Sequence, residues 1–166
     1  DRSGSKGVAK VKDRSKLASA LSEAADRSIF GDVIVESFVS KSGPQIGGEA
    51  YVYNGELAML CLGEQRVAHS VDNPHLPVGM IFPARLTDDT YDAIRRELQK
   101  VITDLNYRFG ALNLEIMINN KKDIFLMEIG PRRGGNMLPE LMKYTEGANV
   151  AKWSIDHSIG KKLFPK

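Results

Sequence analysis

What this 166-residue chain lacks narrows it at once. It has a single cysteine, Cys61, so no internal disulfide can form, and a lone thiol points to a reducing, cytoplasmic setting. No apolar run approaches the ~20 residues that a membrane helix needs, and no hydrophobic leader opens the chain. The first residue is Asp1 rather than Met, so an upstream segment is expected to have been removed. The charge is nearly balanced: 23 basic against 21 acidic residues leave +2, which argues against nucleic acid or an anionic membrane as partner. His69, His75 and His157 are scattered without a second ligand at metal spacing, which argues against zinc. There is no Gly-x-Ser-x-Gly elbow, no dinucleotide fingerprint and no P-loop spacing. Cys61 lies in the apolar run from Leu57 to Leu62 and reads as a small buried hydrophobe.

What is present has readable order. Ser15 to Arg27 reads as a short helix with Leu17, Ala20, Leu21, Ala24 and Ala25 on one face, capped by Ser15 or Asp13. Asp32 to Val39 reads as a β-rich strand carrying Glu36, and Ser40 to Gly48 as a Ser/Gly/Pro loop. Glu49 to Tyr53 and Leu57 to Val67 form a hairpin about the Asn54-Gly55 turn dipeptide. Asn73 to Pro83, with three prolines, reads as an extended connection. Thr87 to Phe109 keeps helical spacing through Tyr91, Ile94, Leu98, Val101, Ile102 and Leu105, with Gly110 as its stop. A second hairpin follows, then helices near Leu138 to Thr145 and Asn149 to Ile159. Strands and helices in this order predict an α+β fold.

The second hairpin is the most informative feature. Glu115 and Glu128 each interrupt an otherwise apolar strand, with Asn119-Asn120-Lys121-Lys122-Asp123 as the turn between them. Folding about the midpoint of Lys121 and Lys122 sets Glu115 opposite Glu128 and Asn113 opposite Gly130. Directly opposed side chains sit roughly 5 Å apart, where like charges repel. Two acids that close call for a proton or a cation, and a hard divalent cation with oxygen ligands is the simplest answer. A solvated edge would carry the same residues, and a one-residue slip would separate the pair. Pro131-Arg132-Arg133-Gly134-Gly135-Asn136 then leaves the strand with two guanidiniums, and guanidinium forks beside a bound cation suit a phosphate group. At the other end of the chain, Ser3-Gly4-Ser5-Lys6-Gly7 is a small-residue loop able to aim amides at an anion, although a frayed terminus would look alike.

Taken in order, Ser3-Gly4-Ser5-Lys6-Gly7-Val8, the run from Val33 to Val39, Glu49, Asn113-Leu114-Glu115 and Met127-Glu128-Ile129-Gly130-Pro131-Arg132 resemble the ATP-grasp superfamily. The nearest branch includes carbamoyl-phosphate synthase large chain, phosphoribosylglycinamide synthetase and biotin carboxylase, and the resemblance runs from residue 1 to about residue 147. It implies an ATP-grasp fold fragment, an antiparallel sheet flanked by helices, with a lid-like lobe over 1–40 and a carboxy-terminal lobe over 41–166. An amino-terminal substrate domain and a Lys-Pro strand are expected upstream, so the chain reads as part of a larger ligase.

The resemblance also implies roles. Ser3, Gly4, Ser5, Lys6 and Gly7 would close over the ATP phosphates; Glu36, Ser37, Phe38 and Val39 would line the adenine; Glu49 would hold the ribose hydroxyls. Met117 and Leu126 share the metal face in the inferred register and would floor the adenine, although plain core residues would look the same. Glu115 and Glu128 would hold Mg²⁺ (or Mn²⁺), and Arg132, with Lys6, would steady the transferred phosphoryl group. Many members carry Asn two residues after the second Glu, where this chain has Gly130; Asn113, or Asn136, is the candidate replacement. The activity implied is ATP-dependent ligation of a small-molecule carboxylate to an amine or thiol through an acyl phosphate, with a homodimer allowed. A nucleotide-binding or regulatory module without turnover is the alternative, and an ordinary α+β domain with chance motifs is the third reading.

Overall fold

Asn54 and Gly55 both adopt positive φ, 58° and 85°, and turn the chain tightly between β1 (Ile46–Tyr53) and β2 (Glu56–Val67). The computed structural model describes residues 7–67, 77–135 and 137–163. Further elements are α1 (Leu17–Arg27), β3 (Pro77–Ile81), α2 (Asp88–Asp104), β4 (Phe109–Ile118), β5 (Ile124–Gly130), α3 (Leu138–Thr145) and α4 (Val150–Ser158). Five strands form one sheet in the order β3-β2-β1-β4-β5. The two hairpins meet along an antiparallel β1–β4 pairing. Residues 7–39 group as one compact unit, and residues 40–66 with 77–163 as another.

In the larger unit, alternation along the strands sorts the core. Ala50 and Val52 of β1, Leu60 and Leu62 of β2, and Leu112, Leu114 and Ile116 of β4 share one face, which Ile94, Leu98 and Ile102 of α2 cover. The helix is capped by Thr87, whose side chain accepts from the Thr90 amide, and Asp88 and Asp89 in its first turn suit the helix dipole. On the opposite face the helices cover one end: Tyr51, Cys61 and Ala111 pack with Met142 of α3, Val150 of α4 and Leu163. In the smaller unit the predicted face of α1, Leu17, Ala20, Leu21, Ala24 and Ala25, is the half-buried one, and Asp13 caps a 3-10 turn leading into it.

Four expectations need correction. Asp32 to Val39 forms no ladder with any described residue, and Ile34, Val35 and Phe38 are exposed; β-propensity records fit to a pleated, half-buried surface, which these residues do not meet here. β1 starts at Ile46, so Gly47 and Gly48 are strand rather than loop. Within the predicted Asn73 to Pro83 connection, Pro77–Ile81 is a strand at the sheet edge, where a proline is tolerated. Finally, α2 ends at Asp104 because Asn106 takes the left-handed conformation (φ 49°); Phe109 already belongs to β4.

The Gly-Gly pair reads as a loop but serves close packing. A Cβ on Gly48 would lie 2.0 Å from the Cys61 carbonyl oxygen, a backbone atom that cannot step aside. Gly48→Ala is therefore expected to destabilise the fold by about 3 kcal/mol or more, measured by urea unfolding, because overpacking forces the backbone apart. Gly79→Ala, where the added methyl meets nothing within 4 Å among the described residues, is the control and should stay within about 1 kcal/mol.

Candidate functional site

Strand register builds the site row by row on the face that the carboxy-terminal helices leave partly open. One row across β2, β1, β4 and β5 reads Gly63, Gly47, Glu115, Glu128; the next reads Cys61, Glu49, Asn113, Gly130. The first row is bare backbone on one half and paired carboxylates on the other. The sequence-derived pairings Glu115–Glu128 and Asn113–Gly130 are both present. Nearer the turn the register shifts by one, so Ile116 faces Leu126 and Met117 faces Phe125. A bulge at this point, with Met127 the extra residue, moves Leu126 onto the α2 side, where it packs against the main core. The expectation that Leu126 shares the metal face is thus corrected; Phe125 holds the place opposite Met117.

Glu115 is half-buried and Glu128 exposed. No ion pair joins either carboxylate to a described lysine or arginine. The Gln45 amide donates to Glu115 Oε2 at 2.9 Å, a contact not foreseen from sequence because Gln45 lay in what read as a loop. Asn113 donates its amide nitrogen to the Gly48 carbonyl at 3.3 Å, so of its two polar atoms only the amide oxygen could serve a cation. Among the described residues no group of three or more His, Cys, Asp or Glu gathers as a metal site. Two opposed carboxylates and one amide fit Mg²⁺ in the manner it prefers, with one or two carboxylates while water and phosphate oxygens complete the octahedron.

The space beside Gly130 is covered by Arg132 rather than filled from Asn113. A Cβ on Gly130 would lie 3.6 Å from Arg132 Cγ and 3.9 Å from Cζ, so the guanidinium stem lies over the glycine. Its Nη1 donates to the Arg133 carbonyl at 3.0 Å, and the Arg132 amide donates to the Gly130 carbonyl at 2.7 Å. A side chain at position 130 would compete for that seat.

Glu49 occupies a place that sequence did not suggest. It is fully buried in mid-strand, with Oε1 accepting from the Gly134 amide and Oε2 bonded to no described group. A Cβ on Gly134 would meet Glu49 Oε1 at 2.8 Å and Asn113 Nδ2 at 3.1 Å, so only glycine lets the segment after β5 fold down here. A ribose hydroxyl would reach this carboxylate only with Gly134 displaced. Burial raises the Glu49 pKa from its ordinary value, against the opposing pull of the Gly134 amide, Arg133 and Arg132. Across the row, burial pushes the Cys61 thiol up to about 12, so it is an inert core residue, as its apolar setting predicted.

Of the other site residues, Gly7 (φ 76°) and Glu36, Ser37, Phe38 and Val39 belong to the smaller unit, where the Lys10 ammonium lies 3.1 Å from the Phe38 ring centroid. Ser3, Gly4, Ser5, Lys6 and Asn136 lie outside the described residues.

Glu49 gives a pH signature. With its value raised on folding, the folded chain holds a proton that the unfolded chain has already lost between the ordinary value and the raised one. Stability therefore falls as pH rises through that window. Glu49→Gln keeps the oxygen for Gly134 and removes the titration. Urea midpoints from about pH 4 to about pH 8 should show wild type losing stability relative to the variant. Parallel curves would show that Glu49 ionises as freely in the folded chain as in the unfolded one.

A family model described as an ATP-grasp domain matches residues 1–140. A curated relative, uncharacterized protein y4rH of Sinorhizobium fredii (strain NBRC 101917 / NGR234), is 24% identical over 165 residues. That span is 96% of this chain and 32% of the relative, so the chain covers about a third of its length. Phosphoribosylglycinamide synthetase from Anaerococcus prevotii superposes with a TM-score of 0.73 at 22% identity, over 91% of this chain and 37% of that one. The biotin carboxylase domain dimer of 2-oxoglutarate carboxylase from Hydrogenobacter thermophilus, in complex with MgADP, ADP and bicarbonate, superposes with a TM-score of 0.81 at 16% identity. It is matched over 99% of this chain and 36% of its own. The two structures show the same fold, and with the family model spanning most of its length, this chain belongs to the ATP-grasp domain family.

Proposed function

We propose that this chain is the nucleotide- and metal-binding part of an ATP- and Mg²⁺-dependent ligase that joins a carboxylate to an amine or thiol through an acyl phosphate. The observation that carries the reading is the opposed Glu115–Glu128 pair, free of any described cationic partner, beside the glycine half of its row. An ion held there would neutralise charge on the transferred phosphoryl group. Arg132, lying over Gly130 in the next row, stands where a guanidinium can contact the same group. The grouping of residues 7–39 supports a lid-like lobe over 1–40, with 41–166 as the carboxy-terminal lobe.

In this reading Ser3 to Gly7, including Lys6, close over the phosphates, Glu36 to Val39 line the adenine, and Met117, with Phe125 in the place foreseen for Leu126, floors it. A carboxylate oxygen attacks the γ-phosphorus, the bond to ADP breaks, and the amine or thiol then attacks the acyl carbon and expels phosphate. No protein nucleophile takes part, in keeping with the unreactive Cys61 thiol.

Glu128→Gln in the full-length protein is expected to lower ATP-dependent phosphate release by about a hundredfold or more, with little change in melting temperature because the side chain is exposed. Wild-type turnover in this variant would remove Glu128 from the metal site and the reading with it. Asn113→Ala should raise the Mg²⁺ concentration needed for half-maximal turnover, since its amide oxygen is the further oxygen ligand near the pair. A titration unchanged from wild type would assign Asn113 to holding β1 through Gly48 alone.

A further inference from the structure

We propose that Gln45 is a positioning residue that leaves Glu115 one oxygen for the cation, and that it thereby sets the preference of the site for Mg²⁺ over Ca²⁺. The inference rests on the ligase reading, in which Glu115 and Glu128 hold the ion, and names what selects that ion. Gln45 stands just before β1, where its carbonyl accepts from the Gln65 amide at 2.8 Å. Its side chain falls on the face of Gly47, two residues on, because side chains alternate along extended backbone. Gly47 lies directly opposite Glu115 and carries no side chain. Gln45 is thus a diagonal neighbour of Glu115, a separation of roughly 7–8 Å that a long side chain spans when nothing at position 47 stands between. The contact is made: Gln45 Nε2 donates to Glu115 Oε2 at 2.9 Å. Both residues are half-buried, so water competes with this bond less than it would at the open surface.

Sheet order divides the carboxylate between two neighbours. β4 lies between β1 and β5. Gln45 approaches Glu115 from the β1 side, and Glu128 stands opposite it on β5. Oε2 is therefore engaged on one side, and Oε1 is the oxygen left for an ion shared with Glu128. One oxygen suits Mg²⁺, which keeps near-ideal octahedral geometry and several waters. Ca²⁺ takes about six to eight oxygens and gains from a carboxylate that chelates with both. For Oε2 to join in that mode the bond from Gln45 must break, which leaves a half-buried amide without its partner. Hydrogen bonds of this kind orient ligating carboxylates, and their loss changes metal affinity by about 10–100-fold.

The test uses full-length protein with saturating ADP and counts bound Mn²⁺ by electron paramagnetic resonance, a readout that needs no turnover. Mg²⁺ and Ca²⁺ are each titrated in to displace it. The preference of ADP itself is common to every variant and cancels when the ratios are compared. Gln45→Met keeps the length of the side chain and removes the donor; it is expected to lower the Mg²⁺-over-Ca²⁺ preference by about tenfold. Gln45→Glu puts a further carboxylate in place of the donor and should move the preference toward Ca²⁺ further still. A residue that only held the start of β1 in place would, when changed, weaken both ions alike. An unchanged ratio in both variants would overturn the proposal. Glu128→Gln in the same assay reports on the ligase reading separately. Mn²⁺ held as tightly there as in wild type would sink the paired-glutamate site, while a ratio that still moves with Gln45 would leave Glu115 standing as the ligand that Gln45 positions.

Discussion

The site depends on one arrangement: glycines on β1 and β2 stand in the same row as glutamates on β4 and β5. Side chains removed from half a row let Met80, Gln65 and Phe82 lie close over the sheet, and the remaining space becomes a cleft. Acids on the other half bring two like charges to directly opposed positions, which an antiparallel pair tolerates only with water, a proton or a cation between them. In the proposed function, bare backbone beside paired carboxylates would accept a charged, flat or extended ligand and a hard ion together. Neither half would do this alone.

The helices are placed so as to preserve that row. Burial of apolar area against α2 on one face holds the sheet, and the contribution is of the order of 2 kcal/mol for each fully buried Ile or Leu. On the other face, α3 and α4 cover the Tyr51 and Ala111 end, while the segment after β5 folds back through the bond from the Gly134 amide to Glu49. A buried carboxyl with an unbonded oxygen is an unfavourable element in itself. It is retained where it ties the Arg132 segment to the central strand, so stability lost at Glu49 is offset by the strands on either side.

Much of this was legible in the sequence because the informative residues are local. The polar turn from Asn119 to Asp123 fixes the hairpin midpoint, and the Glu115–Glu128 and Asn113–Gly130 pairings follow from counting. Asn54-Gly55, the α1 face and the α2 face are likewise short-range signals. What was not legible depends on backbone that only tertiary contact reveals. The bulge at Met127 turns Leu126 inward without any mark in composition. Gly47 and Gly48 look like loop residues because glycine's role in close approach is invisible without the neighbour, here the Cys61 carbonyl and Met80. The burial of Glu49 was not legible because the Gly134 amide that meets it lies 85 residues away in sequence. The apolar run from Val33 to Val39 has strand composition but no ladder partner among the described residues, and composition cannot supply one.

The sheet order places Glu115 and Glu128 on unequal strands. β4 is flanked on both sides, whereas β5 closes the row as the last strand in the sheet, with its far side unpaired among the described residues. Outer strands open locally at lower free energy than the strands they lean on. Glu128 therefore rides on an outer strand, while Glu115 sits on a strand flanked on both sides. Any ion gripped by both couples the two exchange regimes, so that its arrival slows amide exchange along Ile124–Gly130 far more than in the core beneath. The edge strand becomes a recorder of occupancy, readable without any turnover at all.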